Sequence, residues 1–462
     1  MTLPKMTYAE ALRYLESFAD YEKIPSYKYS DAVKLSRMEA LLDGLGNPQR
    51  NFKSIHIAGT KGKGSTCAFV YSILKDSGRK VGLYTSPHLI DFKERIRISF
   101  PKEMIPEERG IEEAEVATLV ARIKSFLDKF TSASKFGSPS FFEVYTALAF
   151  LFFSIKKVDI AVVEVGMGGR LDATNVVNPL VVGVTPISFD HTDKLGMTLE
   201  AIAKEKCGII KNNCVVVASE QNATVMNYIR KAAIDKNARL YEVGKDIFYE
   251  PLTADPEGQT FNVRGIFGDY ALLTTPLLGR HQIVNAACAI GIIEALRSKD
   301  ILICSHDITN GIRSVDWPGR LQVVGRSPWI ILDGAQNEAS ARALKEAISD
   351  VFSYKDLILV FGVSTDKDIE GIGGNLFPFA DKIFFTRSNT KRAAAPEALK
   401  KRFPDHEKKI TLTFNVKEAV ELARRQAKPD DLILVTGSLF VVGETLDFLS
   451  RNGIGYEKTV KD

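Results

Sequence analysis

The sequence predicts an α/β protein made of two consecutive units of alternating strands and helices. Short apolar runs rich in β-branched residues alternate with stretches of helical periodicity throughout the first half of the chain. A second and shorter alternation of the same kind follows residue 318. A glycine-rich turn lies directly between the first predicted strand and the first predicted helix. These three observations together favour parallel sheets that carry helices on both faces.

The first unit contains predicted parallel strands separated by helices, and it ends in a β-rich segment. Apolar runs suited to buried strands cover residues 54–57, 80–84, 159–165 and 180–184. Helical patterns cover residues 66–77, 114–130 and 141–155. In the β-rich segment near 239–275, strands are predicted at 240–243, 260–263 and 270–273. A predicted helix over residues 284–297 closes this unit.

The second unit follows a polar stretch, residues 298–318, whose end Asp316-Trp317-Pro318-Gly319 predicts a hinge. Its strands are predicted at 329–332, 357–361, 382–385, 412–414 and 432–435. Its helices are predicted at 340–351, 396–402 and 416–427. The predicted domains are therefore residues 1–312, which include the glycine-rich turn, and the smaller residues 313–462.

The composition is ordinary for a soluble globular protein, since 45% of the 462 residues are hydrophobic and 26% are charged. The net charge of +4 is too weak to argue for nucleic-acid binding, since it is not gathered into a basic arm or stripe. The five cysteines form no C-x-x-C pair and predict reduced thiols. The N-terminal residues Met-Thr-Leu-Pro-Lys-Met lack a signal-peptide layout, and the longest apolar stretch, 147–155, is too short to span a bilayer. We therefore predict a cytoplasmic protein without nucleic-acid or membrane partners.

The turn at 58–66 reads Ala-Gly-Thr-Lys-Gly-Lys-Gly-Ser-Thr and predicts the binding of nucleotide phosphates. Its glycines let the backbone approach an anion, Lys63 supplies a positive charge, and Ser65 or Thr66 supplies a hydroxyl for phosphate or Mg²⁺. The strict pattern G-x-x-x-x-G-K-[ST] is not met, because Gly64 separates Lys63 from Ser65. A flexible loop that binds nothing is the alternative interpretation.

Two further predicted strands end in side chains that can bind a metal. Glu164 ends an apolar run, and a carboxylate buried there is costly unless it is paired or bound to a cation. His191 follows the apolar run 181–189. Together they predict a Mg²⁺ pair, although Glu164 could instead pair with Arg170, and a single histidine is usually structural.

Several other polar residues are weak candidates when each is considered alone. Ser86 places a hydroxyl after the predicted strand at 80–84, and Gln282 and Asn285 place amides at the start of a helix, where they could contact a purine. Arg320 puts a guanidinium at the hinge, where it could meet a polyphosphate, and Asp333 could hold a ribose hydroxyl. Spacing does not select Lys206, whose simplest interpretation is a solvated helix lysine.

Taken together, these residues resemble the dihydrofolate synthase/folylpolyglutamate synthase family, a branch of the Mur-type ATP-dependent amide ligases. The resemblance covers nearly all of the chain, and its most specific segments are 59–66, 85–89, 164–175, 190–211, 279–285, 318–320 and 333–337. It implies a Mur-ligase-like P-loop nucleotide-binding domain followed by a smaller Rossmann-like α/β domain, with catalysis in the cleft between them.

The resemblance also implies a role for each candidate residue. The ATP phosphates would be held by Gly59, Thr60, Lys61, Gly62, Lys63, Gly64, Ser65 and Thr66. ATP would also contact Gln282, Asn285, Arg320 and Asp333. Mg²⁺ would be bound by Ser86, Glu164, His191 and Lys206, where Lys206 matches the lysine that becomes carbamylated in Mur-type ligases. Catalysis would depend on Lys63, His191 and Lys206.

The predicted function is the ATP-dependent addition of L-glutamate to a folate-type carboxylate, with both dihydropteroate and reduced folates as acceptors. ATP and Mg²⁺ are the predicted cofactors, the substrates are the only predicted partners, and the protein is expected to be a monomer. Gln336 departs from the family, which often has histidine at this place in an Asp-Gly-Ala-His-Asn-Pro segment. Two alternatives are a Mur-type ligase acting on a cell-wall precursor and a nucleotide-binding regulator without ligase activity.

Overall fold

The computed structural model describes residues 6–21, 24, 33–101, 107–133 and 135–453 of the chain. Its strands form three sheets, of eight, three and six strands, and the predicted α/β class is confirmed. The cysteines are free thiols, four buried and one exposed. Residues 1–5, on which the expectation about a signal peptide depends, lie outside the described ranges. Within those ranges, no helix is both long enough and apolar enough to cross a membrane.

The first sheet carries the predicted parallel strands at its centre. Its strands are β1 (Lys53–Ala58), β2 (Val81–Tyr84), β3 (Ile96–Phe100), β4 (Glu107–Gly110), β5 (Ile160–Glu164), β6 (Val181–Val184), β7 (Val215–Ala218) and β8 (Arg239–Glu242). Their order is β4-β3-β2-β5-β1-β6-β7-β8. Neighbouring strands in the part of the sheet ordered β2-β5-β1-β6-β7-β8 pair in parallel. Strand β3 pairs antiparallel with both β2 and β4. The nearly continuous apolar runs arise because the central strands are buried on both faces.

Helices cover both faces of this sheet. They are α1 (Tyr8–Glu16), α2 (Leu35–Gly44), α3 (Lys63–Asp76), α4 (Glu113–Ala133), α5 (Phe141–Lys156), α6 (Thr192–Leu195), α7 (Leu199–Cys207), α8 (Ala223–Asp235), α9 (Arg280–Ala295) and α10 (Ser305–Arg313). Because successive strand residues face opposite ways, Ile55 and Ile57 share a core with α3 and α9, whereas Val163 packs with α5. Helix α10 lies within the polar stretch 298–318, where no helix is predicted, and its buried residues are Ile308, Gly311 and Ile312.

The β-rich segment differs from the prediction at its beginning. Residues 240–243 are predicted as its first strand, but β8 instead pairs in parallel with β7 at the edge of the first sheet. The antiparallel sheet consists of β9 (Phe248–Asp255), β10 (Gly258–Arg264) and β11 (Asp269–Thr275). The prediction missed β9 because nearly all of its residues are exposed, so its sequence lacks the alternation of apolar and polar residues.

The third sheet has the order β12-β13-β17-β14-β15-β16 and is parallel except for β12. Its strands are β12 (Gln322–Arg326), β13 (Trp329–Leu332), β14 (Leu357–Phe361), β15 (Lys382–Phe385), β16 (Ile410–Leu412) and β17 (Leu432–Thr436). Its helices are α11 (Glu338–Val351), α12 (Ile369–Leu376), α13 (Pro396–Arg402), α14 (Val416–Gln426) and α15 (Leu439–Arg451).

One strand of this sheet is displaced from its predicted position. The prediction places it at 412–414, whereas β16 ends at Leu412, and Phe414 is 83% exposed beyond it. Strand β12 and helices α12 and α15 are absent from the prediction. The division of the chain into domains at residues 312 and 313 stays a prediction.

Candidate active site

The glycine-rich loop between β1 and α3 is held against the segment that follows β6. The backbone N–H groups of Thr60 and Lys61 both donate to the carbonyl oxygen of Pro186, at 2.9 and 3.1 Å. A Cβ on Gly59 would lie 1.9 Å from Thr185 Oγ1, so this contact requires glycine. Gly62 adopts a φ of +79°, and a Cβ there would lie 2.2 Å from Asn285 Oδ1. The loop is therefore packed in one conformation, which disfavours the interpretation as a flexible loop.

The additional glycine of this loop also has a structural reason. Helix α3 begins at Lys63, and Gly64 lies beneath the indole of Trp317, which belongs to the segment leading into the third sheet. A Cβ on Gly64 would lie 2.8 Å from Trp317 Cζ2. The departure from the strict phosphate-loop pattern therefore makes room for the tryptophan.

Lys206 is not solvated but reaches the phosphate loop. It lies near the end of α7, its side chain is buried, and its Nζ donates to the carbonyl oxygen of Gly59 at 2.8 Å. Burial and then the nearby charge of Lys63 lower the pKa of Lys206 to about 7. A large fraction of this side chain is therefore a neutral amine near neutral pH, and only a neutral amine can react with CO₂ to form a carbamate.

Glu164 lies at the carboxyl end of β5 and is 5% exposed. Its Oε2 accepts a hydrogen bond from the backbone N–H of Ser86, at 3.0 Å. Burial raises the pKa of Glu164, while the charges of Lys63 and Arg320 act in the opposite direction. The alternative ion pair with Arg170 is wrong, because the Arg170 guanidinium pairs with Glu205 at 2.9 Å.

His191 stands immediately before the short helix α6, and its φ is 50°. Burial lowers the pKa of His191 to about 4, although the neighbouring carboxylate of Asp190 opposes this. The imidazole is therefore neutral at neutral pH and keeps a lone pair that a metal can use.

Asp190, next to His191, is contacted by lysines from both parts of the chain. Its Oδ2 lies 3.4 Å from Lys61 Nζ in the phosphate loop, and its Oδ1 lies 3.3 Å from Lys367 Nζ, which follows β14. The Lys367 side chain is only 8% exposed. Burial raises the pKa of Asp190, but Lys61, His191 and Lys367 together hold it below its ordinary value. Lys367 is absent from the sequence-based prediction, because no local pattern connects residues 177 positions apart.

Of the remaining predicted nucleotide contacts, Asn285 lies against Gly62 of the phosphate loop. Asn285 Nδ2 donates to Gln282 Oε1 at 3.0 Å, and Gln282 Nε2 is a buried donor without a hydrogen-bond partner in the described part of the chain. Both oxygens of Asp333 accept backbone N–H groups, from Leu321 at 2.9 Å and from Ala335 at 2.8 Å. Asp333 therefore also fixes the backbone beside Arg320, whose charge stabilises the ionised form of both Asp333 and Glu164.

Comparison with known proteins assigns this arrangement to a family. The Mur ligase middle domain matches residues 57–293, and the glutamate ligase domain of Mur ligases matches residues 319–439. The dihydrofolate synthase/folylpolyglutamate synthase of Bacillus subtilis is 34% identical over 422 residues, which cover 90% of this chain and 95% of that protein. The chain belongs to the dihydrofolate synthase/folylpolyglutamate synthase family. It is therefore an ATP-dependent, amide-forming ligase.

Solved structures of this family have the same fold. The folylpolyglutamate synthase of Mycobacterium tuberculosis, complexed with ADP, has a TM-score of 0.86 and 31% identity, with 96% of this chain and 98% of that chain covered. Escherichia coli FolC, in complex with DHPP and ADP, has a TM-score of 0.82 and 30% identity, with 97% and 98% covered. The predicted fold, a nucleotide-binding domain followed by a smaller α/β domain, is confirmed, and these relatives favour the folate branch over a cell-wall ligase or a regulator.

In the described part of the chain, no group of three or more His, Cys, Asp and Glu side chains could hold a metal ion by itself, so a magnesium site at Glu164 and His191 requires a further ligand. Glu164 offers a buried carboxylate, and burial raises its pKa, so a bound cation would stabilise its ionised form. His191 is neutral and can act as a further ligand. Lys206 as an amine is a poor ligand for Mg²⁺, whereas its carbamate supplies the oxygen donors that this ion prefers. The set therefore fits Mg²⁺ when Lys206 is carbamylated.

We expect Glu164→Ala and His191→Ala each to raise the Mg²⁺ concentration required for activity by about tenfold or more. Each variant removes a proposed ligand, and neither side chain is part of the hydrophobic core. A Mg²⁺ titration of the ligase rate, together with thermal unfolding without nucleotide, measures both effects. A variant that unfolds more easily but keeps the wild-type Mg²⁺ dependence would assign that residue a structural role instead.

Proposed function

We propose that this ligase joins L-glutamate to folate-type carboxylates, both on dihydropteroate and on reduced folates. The observation that carries the proposal is the placement of Lys206 against the phosphate loop, beside Lys63, whose charge also acts on the buried Glu164. A nucleotide phosphate, a metal and a carboxylate to be activated can meet at this point. The names and ligands of the relatives support the choice of folate and glutamate as substrates.

The chemistry proceeds through an activated carboxylate. A carboxylate oxygen of the folate-type substrate attacks the γ-phosphorus of ATP, the bond from this phosphorus to the bridging oxygen breaks, and ADP leaves. The amine of glutamate then attacks the acyl phosphate carbon, loses a proton, and displaces inorganic phosphate as the amide forms. This route is needed because an oxide dianion is a very poor leaving group, whereas phosphate is a good one.

The chain stabilises the charge that develops on the transferred phosphoryl group. The N-terminus of α3 directs backbone N–H groups towards the phosphates, and Lys63 at its first position adds a positive charge. Arg320, from the second part of the chain, adds a guanidinium on the side of Glu164. Gln282 and Asn285 would contact ATP beside Gly62.

The metal site supports the same step. Glu164, His191, Ser86 and carbamylated Lys206 would hold Mg²⁺, which neutralises charge on the phosphates of ATP. Lys367 and Lys61, on either side of Asp190, connect the phosphate loop to the second part of the chain. Closure of these two parts around the substrates would exclude water and so protect the acyl phosphate from hydrolysis.

Acceptor breadth is tested by supplying each acceptor separately. Purified protein with ATP, Mg²⁺ and L-glutamate is expected to release phosphate with dihydropteroate and also with tetrahydrofolate, since both reactions use the same acyl phosphate chemistry. Omission of glutamate is the control for uncoupled hydrolysis. Glutamate-dependent release with only one acceptor would contradict the bifunctional proposal. The cytoplasmic location and the monomeric state stay predictions.

A further inference from the structure

A buried chain of hydrogen bonds lies behind the candidate metal site and is not explained by the proposed chemistry. It begins at His56 on β1, a fully buried histidine that lies between the core residues Ile55 and Ile57 in sequence but faces the opposite side of the sheet. His56 Nε2 lies 2.8 Å from Thr174 Oγ1. Thr174 Oγ1 in turn donates to Asp172 Oδ1 at 2.5 Å. All three side chains are at most 3% exposed.

The number of hydrogens that each group carries determines which group donates in each of these hydrogen bonds. A threonine hydroxyl has one hydrogen, and that of Thr174 is given to Asp172, so its oxygen can only accept from His56. Burial raises the pKa of Asp172, but the three hydrogen bonds that its carboxylate accepts favour the ionised form, and with Asp172 ionised the imidazole carries its hydrogen on Nε2. His56 Nδ1 is then a bare lone pair, which agrees with its lack of a hydrogen-bond partner in the described part of the chain. Burial lowers the pKa of His56 to about 3, so this neutral form persists throughout the physiological range.

The chain of hydrogen bonds ends on the backbone of the segment that follows Glu164. Asp172 Oδ2 accepts from the backbone N–H of Met167 at 2.9 Å, and Asp172 Oδ1 also accepts from the backbone N–H of Thr174 at 2.9 Å. These bonds fold residues 166–175 into one fixed turn. This turn begins two residues after Glu164, so it constrains the path of the backbone at the point where β5 ends.

The same 166–175 segment is attached on its other side to the helix that carries Lys206. Arg170 N–H donates to the carbonyl oxygen of Glu205 at 2.7 Å, and Asn175 Nδ2 donates to the carbonyl oxygen of Gly208 at 3.2 Å. A Cβ on Gly169 would lie 2.7 Å from the Glu205 oxygen and 2.9 Å from the Lys206 oxygen. The segment thus connects β1, the end of β5 and helix α7, the three elements that carry the phosphate loop, Glu164 and Lys206.

We infer that His56 and Thr174 are positioning residues, which fix the 166–175 segment and thereby the relative placement of Glu164 and Lys206. The inference rests on the proposed function, because it requires these two groups to bind one metal–nucleotide complex. Groups that orient metal ligands from behind are typically worth tenfold to a hundredfold in metal affinity or activity. Neither His56 nor Thr174 is proposed to touch a substrate.

The test measures ADP binding by calorimetry at a series of Mg²⁺ concentrations, so it does not depend on turnover. Thr174→Val keeps the shape of the side chain but removes its hydroxyl. It is expected to raise the Mg²⁺ concentration at which the effect on ADP affinity is half-maximal by about tenfold or more. Thr174→Ser restores the hydroxyl and is expected to bind as the wild type does. His56→Leu should resemble Thr174→Val, whereas His56→Gln, which retains a donor, should be closer to the wild type.

Thr445→Val is the matched control, because Thr445 is also fully buried but donates only within its own helix, to Val441 at 2.8 Å. It is expected to leave the Mg²⁺ requirement unchanged. If Thr174→Val and His56→Leu lower the thermal midpoint yet keep the wild-type Mg²⁺ requirement, their role is structural and the inference is wrong. If the affinity of the wild type for ADP does not change with the Mg²⁺ concentration, the proposed metal site is wrong, and so is the positioning role that depends on it. Should Thr174→Val not fold, the two His56 variants decide.

Discussion

Lys206→Ala is expected to lose nearly all ligase activity while the protein remains folded. Lys206 Nζ lies 2.8 Å from the phosphate-loop carbonyl of Gly59, and burial lowers its pKa to about 7, which leaves a reactive neutral amine. The proposed carbamate converts this group into an anion that can hold Mg²⁺, and alanine cannot replace it. Steady-state rates of glutamate-dependent phosphate release measure the loss. Short carboxylic acids at millimolar concentration are expected to restore part of the activity by occupying the vacated place.

Lys206→Arg is the matched control, because it keeps a positive charge but cannot form a carbamate. It should be as inactive as Lys206→Ala, and removal of bicarbonate should slow the wild type. Full activity of either variant would contradict the proposed carbamate.

The pKa of Lys206 also predicts the pH dependence of stability. The pKa is about 7 in the folded protein and 10.5 in the unfolded chain, so the unfolded chain binds more protons between these values. In bicarbonate-free buffer, this residue therefore makes stability rise with pH over that window. Lys206→Met should remove this contribution and raise the thermal midpoint near pH 7, although activity is lost. If Lys206→Met leaves both the thermal midpoint near pH 7 and the dependence of stability on pH unchanged, burial does not lower the pKa of Lys206.

Lys63→Ala is expected to reduce the rate by at least about a hundredfold, in line with the loss of one electrostatic contact to the transition state. Lys63 is the first residue of α3, its Nζ lies 3.4 Å from the Thr60 carbonyl oxygen, and Lys61 of the same loop is engaged with Asp190. No other loop side chain can therefore place a charge on the outer phosphates. Single-turnover rates at saturating ATP separate this loss from weaker nucleotide binding.

Lys75→Ala is a control from the same helix. Its side chain pairs with Glu108 at 2.9 Å in the last turn of α3, far from the loop, and its loss should leave the rate unchanged. Near-normal activity of a correctly folded Lys63→Ala protein would contradict the assignment of the phosphate loop.

The sequence predicted those features whose signals are local. The buried strands β1 and β5 appear as apolar runs because both of their faces are covered, and the glycines of the phosphate loop mark a tight turn. Glu164 and His191 were recognisable because each follows such a run. Strand β9 had no such signal, since its residues face solvent, and β8 was misassigned because strand sequence does not specify the partner strand.

Contacts between distant segments could not be predicted from the sequence. Trp317 above Gly64 and Lys367 beside Asp190 depend on how the third sheet packs against the first. Lys206 illustrates the same limit, because its spacing suggested a solvated lysine and only the family resemblance selected it. Its burial and its hydrogen bond to Gly59 are tertiary features that become visible only in the fold.

The central claim is that ATP activates a folate-type carboxylate as an acyl phosphate, and oxygen transfer tests it most directly. Dihydropteroate carrying ¹⁸O in both carboxylate oxygens is incubated with the protein, ATP, Mg²⁺ and L-glutamate, and the released phosphate is analysed by mass spectrometry. The carboxylate oxygen that attacks phosphorus stays with the phosphoryl group when glutamate displaces it. We therefore predict that each phosphate released with amide formation carries one ¹⁸O. Amide formation accompanied by unlabelled phosphate would contradict the proposed mechanism.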